Sequence, residues 1–196
     1  MNTGIARRAV WAGTITAFLL VAGFGNQWLW EEINEHHDAG PNSGWHILAW
    51  LSTPHWVVDT GGAFEGMEDR QVFGGLLGAV GLVIAVGLVI SASARREGFP
   101  VFVTGWFSLV AGGAVYGLVH YLISGTGLGV NALSGDSEGR TLSSTLGVLA
   151  LGGGYGLLVG WIVGLACVFA TAGGGPAGYG SAFPSYQPPP PSDRGY

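Results

Sequence analysis

The densest set of metal-ligating side chains is the run Glu31-Glu32-Ile33-Asn34-Glu35-His36-His37-Asp38. On a helix, Glu32 falls one turn from His36 and Glu31 one turn from Glu35. Carboxylates mixed with imidazoles suit zinc or another divalent ion, which makes Glu32, Glu35, His36 and His37 the candidate ligands. The spacing is neither the HExxH pair of metalloproteases nor the Glu-x-x-His pair of di-iron bundles. The simpler expectation is a solvated acidic helix end with at most weak divalent binding, or a polar docking patch for a partner.

His46, His55 and His120 form a second set. Imidazoles brought together from separate elements are what a bis-histidine haem or an external copper centre requires, but a sequence does not place two rings face to face. Next to Trp56 and Tyr121, these histidines read more simply as hydrogen-bonding residues at a membrane interface. Other chemistry lacks its groups. There is no Ser/His/Asp series, P-loop or dinucleotide fingerprint in a suitable context. The single cysteine, Cys167, leaves no intramolecular disulfide and no CxxC site. The chain is read as a non-enzyme that needs no cofactor.

The elements that must position these residues are membrane helices. Of 196 residues, 48% are hydrophobic, only 10% are charged and 37 are glycine, a composition outside the soluble range. Charges avoid four segments, which predict spans at about 9–30, 71–93, 99–124 and 142–171, each long enough for roughly 30 Å of hydrocarbon. The first segment resembles a signal peptide, with Arg7 and Arg8 ahead of an apolar stretch and small residues at Gly23 and Gly25. Its continuation through Trp28 and Trp30 reads better as a span ending in an aromatic anchor, with a solvated turn or two following through His36. Pro41-Asn42-Ser43-Gly44 then predicts a turn. The segment from Trp45 to Leu51 predicts a short interfacial helix with Trp45, Trp50 and Trp56 at headgroup depth. Ala94 to Gly98 makes the second and third spans an antiparallel hairpin.

All seven positive residues are arginine. Placing Arg7, Arg8, Arg95, Arg96 and Arg194 on one side gathers five of the seven beside short loops and termini, so that side is expected to be cytoplasmic. Ten of the twelve acidic residues then lie outside, and the net charge of −5 argues against nucleic acid as a partner.

Gly152, Gly156, Gly160 and Gly164 recur every four residues and form one stripe on the fourth span. Gly74 with Gly78 and Gly113 with Gly117 repeat the motif on the second and third. Small-xxx-small grooves let backbones approach closely where lipid removes the usual hydrophobic drive, either within one subunit or between subunits. The cores of the spans contain no Asp, Glu, Lys or Arg of the kind that couples ions or relays protons. Residues 173–196, with Gly173-Gly174-Gly175-Pro176 and Pro188 to Pro191, read as a disordered cytoplasmic tail, with a docking role for a proline-binding partner as the sharper alternative.

The expected fold is therefore all-α: a four-transmembrane-helix bundle (residues 1–172) with an interfacial helix in its first outer loop and a Pro/Gly/Tyr-rich tail. The expected role is a non-catalytic accessory or scaffolding subunit of a bacterial-type plasma membrane. Its partners are the bilayer and either a membrane protein or further copies of itself, reached through the Gly-lined helices and the acidic outer loop. An oligomeric channel or carrier for a small solute, and a metal- or haem-binding redox protein, are the alternatives.

Overall fold

The computed structural model describes residues 3–35, 54–58, 61, 67–95, 100–124 and 142–172. Within these it is helical: α1 (Thr3–Phe24), α2 (Gln27–Glu35), α3 (Asp69–Ser93), α4 (Val101–Ser124) and α5 (Leu142–Ala172). Four of the five are long and apolar enough to cross a membrane. At about 1.5 Å per residue, α1 with 22 residues measures roughly 33 Å, which matches the hydrocarbon thickness. The predicted interfacial helix, the loop after α4 and the tail lie outside the described residues.

The helices close into a ring. α1 packs against α3 and α5, α4 packs against the same two, and α1 and α4 face each other only weakly across the diagonal. On α3, Gly74, Gly78, Leu82, Val86 and Ile90 recur every four residues and are buried. Phe73, Leu77, Val80, Ile84 and Leu88 form the opposite, exposed stripe. Large exposed apolar side chains on α1, α4 and α5 as well give the bundle a surface that only lipid or another protein solvates favourably. The centre is filled by Leu82, Val86, Ile90, Leu109, Tyr116, Tyr155 and Val163.

Size complementarity sets the register of α3 against α4. A Cβ on Gly78 would lie 2.8 Å from the Tyr116 ring, and one on Gly112 would lie 3.0 Å from the Leu82 carbonyl oxygen. Each helix therefore receives the other's bulk where it has none itself. Two buried hydroxyls are satisfied locally: Ser108 donates to the Gly105 carbonyl and Ser124 to that of His120, both at 2.7 Å.

The first span differs from the expectation of one helix running through Trp30 and on into the acidic run. α1 ends at Phe24, the chain bends at Gly25, and α2 starts afresh at Gln27. Asn26 is the cause on the sequence side: its Oδ1 accepts from the Leu29 amide at 2.8 Å, an N-cap, and its Nδ2 donates to the Gly23 carbonyl. Gly25 is the cause on the packing side, because the Pro54 carbonyl lies where a Gly25 side chain would be.

Candidate functional site

Asn26, Gln27, His55 and His120 lie together at the end of the bundle where α1 gives way to α2. Here residues 54–58 return from the long first connection and insert among the helices. The Trp56 amide donates to the Gly25 carbonyl at 2.8 Å, pairing Asn26 with Trp56 as a short parallel bridge. The indole Nε1 donates to the Val21 carbonyl at 3.2 Å, and the Val58 amide donates to Oε1 of the buried Gln27 at 2.8 Å. The Val21 carbonyl already accepts the Gly25 amide at 2.9 Å in the last turn of α1 and takes the indole on its second lone pair. The bend also frees the Gly25 carbonyl for the strap, because the Leu29 amide, its donor in a continuous helix, is taken by Asn26 Oδ1.

This strap carries His55 to α4. The Tyr116 hydroxyl donates to the His55 carbonyl at 2.9 Å, and that same carbonyl oxygen would lie 3.0 Å from a Cβ on Gly75. One helical turn along α4, the His120 imidazole stacks on the Tyr116 ring, with centroids 6.0 Å apart and planes 18° from parallel. The His55 and His120 rings lie 6.2 Å apart, and Trp30 of α2 covers His55 at 6.2 Å. His120 is only 6% exposed, and its Nδ1 is buried without a hydrogen-bond partner. Gly74 makes room for it, since a Cβ there would lie 3.3 Å from Nδ1.

The histidines from the second set thus come together as a pair, His55 with His120, while His46 lies outside the described residues. His120 is enclosed by Tyr116, His55 and α3. Trp28 is exposed and meets Trp56 edge to face at 6.4 Å; Trp30 and Trp56 are half-buried; Trp45 and Trp50 are outside the described residues. Of the acidic run, Glu32 and Glu35 are exposed on α2, whereas His36 and His37 lie outside the described residues. Among the described residues no three or more His, Cys, Asp or Glu side chains gather as a metal-binding group.

The glycine stripe of α5 faces α4. Gly152 meets Gly113 backbone to backbone, and Gly156 meets Leu109 and Val110. Cβ atoms on Gly160 and Gly164 would lie 2.6 Å from the Trp106 carbonyl oxygen and 2.7 Å from that of Phe102. Gly117 is buried on the same helix. Across this seam the Trp106 indole donates to the Leu157 carbonyl at 2.9 Å. In the monomer the groove is filled by α4 and is not open to a partner.

The seam between α1 and α3 is built differently. It leaves an apolar groove of about 500 Å³ bounded by Phe18, Val21, Trp56, Leu76, Val80 and Val83. Several of its walls, Phe18, Val80 and Ile84 among them, are more than half exposed at the bundle surface.

No family model, curated protein or solved structure matches this chain. The geometry alone carries the functional reading.

Proposed function

We propose that the chain is a non-catalytic membrane subunit that docks a partner protein laterally on the α1–α3 face. The observation that carries this reading is the contrast between the two seams. α4 and α5 meet backbone to backbone along their glycines, whereas α1 and α3 leave a groove with an apolar lining that opens at the bundle surface. The centre of the bundle supports docking over transport, being filled by Tyr116, Tyr155 and aliphatic side chains, with Gln27, Ser108, His120 and Ser124 as the buried polar residues among those described. A partner helix laid into the groove gains dispersion contacts that lipid tails, which are mobile, make less well.

Photocrosslinkers at Val80 and Ile84 are expected to give one discrete protein adduct in native membranes, and one at Phe169, on the far face, is expected to give none. The same adduct partner should co-purify with the unmodified chain in mild detergent. Adducts to lipid alone at both groove positions would sink the docking reading.

We further propose that both termini lie in the cytoplasm, with the strap and α2 outside, a reading the arginine distribution supports, and that the membrane is a bacterial-type inner membrane. In a Cys167→Ala background, cysteines at Ser43 and Ser134 should react with a membrane-impermeant thiol reagent in intact cells, and one at Ser192 should not. Labelling at Ser192 with protection at Ser43 would invert the orientation.

A further inference from the structure

The chemistry of the docked partner follows from the mouth of the α1–α3 groove, an inference that rests on the docking reading. The groove closes toward the middle of the bundle. One turn below Phe18 and Ile84, the Thr14 hydroxyl lies 3.1 Å from where a Cβ on Gly87 would be. From there the groove runs about 12 Å along α3 to Leu76 and Trp56, so its mouth lies at the α2 end. Its walls are apolar side chains and offer no charge to an occupant. The groups around the mouth therefore decide between occupants that are alike in being apolar.

Both walls end in carboxylates. On α3, Asp69, Phe73, Leu76 and Val80 fall on one stripe, so the groove wall continues outward to the exposed Asp69. On α2, Glu31, Glu32 and Glu35 share the face of Trp28, whose ring meets Trp56 at the mouth. The other side of α2 buries Gln27 and Ile33. Among the described residues the cation at this end is Arg70, which pairs with Glu68. We propose that the occupant is a transmembrane helix of a different protein, apolar along the groove and carrying Lys or Arg at the α2 end. Asp69 lies about 10 Å beyond Leu76, which puts that basic residue within about two helical turns of the last groove contact. A second copy of this chain in the same orientation would bring its own carboxylates to this depth, and a phospholipid would bring its phosphate. Each sets like charge against Asp69 and the α2 face, whereas a basic helix end meets opposite charge on both sides.

The test places a photocrosslinker at Val80 of the full chain in phosphatidylcholine vesicles. The probes are synthetic helices of about 20 alternating Leu and Ala residues, ending at one side in paired Lys, paired Glu or paired Gln. At low salt the Lys helix should be captured about 2- to 30-fold more than the Glu helix, the range that two exposed ion pairs span. The preference should shrink at about 1 M salt, where the Debye length is about 3 Å. The triple variant Glu32→Gln/Glu35→Gln/Asp69→Asn should lose the preference and still capture the Gln helix as wild type does, which reports an intact groove. In native membranes the Val80 adduct should map to a helix of another protein with Lys or Arg at the α2 end, and its yield should fall in the triple variant. Equal capture of the Lys and Glu helices, a preference that survives neutralisation, or a native adduct whose helix lacks the basic end would each overturn the assignment while lateral docking stands. An adduct between two copies of this chain would overturn it in favour of self-association. Capture of no probe helix, with adducts to lipid alone in native membranes, would remove the docking reading as well.

Discussion

Gly156→Leu should make the detergent-solubilised monomer unfold at temperatures where wild type and Leu158→Ile remain intact. The difference lies in what each side chain meets. At Gly156 the space for a Cβ is already taken by the backbone of Leu109 and Val110, whereas Leu158 is 54% exposed and its β-branched replacement changes only shape. Overpacking a core costs about 1–3 kcal/mol where the neighbours are side chains that can rotate away. Here the neighbour is main chain in a helix, so accommodation means separating α4 from α5 over several turns. That also strains the Trp106–Leu157 hydrogen bond and the Gly113–Gly152 contact. A cost of at least about 3 kcal/mol lowers the midpoint by roughly 10 °C at this chain length. A thermal-aggregation curve in detergent reads it directly. Loss of a co-purifying partner should follow only as a consequence of the unfolding, since the stripe faces α4 and not a partner. Wild-type melting of Gly156→Leu would mean that α4 and α5 do not meet along these glycines.

The four spans were legible because charge is the one feature a hydrocarbon core does not tolerate cheaply. Arg70, Arg95 and Arg96 mark the ends of α3 without any knowledge of packing. The glycine repeats were legible as close-contact surfaces, but not their direction, because period four reads the same whether the facing backbone belongs to this chain or another. The end of α1 was only partly legible. Asn26 three residues before Leu29 is an N-cap signal, yet it sits inside an apolar stretch where the hydrophobic count favours continuation. His55 and His120 were legible as members of one candidate set, but not that their rings come together. That depends on residues 54–58 returning across the bundle end to a bend 30 residues earlier, and no local pattern encodes that closure. The clue available in hindsight is Pro54-His55-Trp56, a rigid turn followed by an interfacial aromatic, paired with Gly74-Gly75, a double gap on the facing helix.

That returning strap sets the second large effect, which is expected to be local. In wild type the amides of Trp56 and Val58 should be protected from hydrogen exchange, because they donate to the Gly25 carbonyl and to Gln27 Oε1 at 2.8 Å each. Gly25→Val pushes a branched Cβ into the Pro54 carbonyl and within 2.7 Å of the Val21 oxygen. Neither atom can move without opening the bend, so the strap must leave. Trp56→Ala removes the same strap from the other side, deleting the indole's bond to Val21 and its packing against the core. Full burial of an aromatic is worth about 3–5 kcal/mol, and Trp56 is half-buried, so roughly half of that is at stake. Both variants should raise exchange at Trp56 or its replacement and at Val58 by about 10- to 100-fold, corresponding to some 1.4–2.7 kcal/mol of local opening. The amides of α4 from Gly105 to Tyr116 should keep their protection, because the α4–α5 glycine contact does not involve the strap. The double variant should cost little more than either alone, since a strap already released has nothing further to lose. Retained protection in Gly25→Val would show that the strap does not depend on the bend. Exchange spreading into α4 would show that the bundle end and the helix core open as one unit, and the separation of the two seams on which lateral docking rests would fail with it.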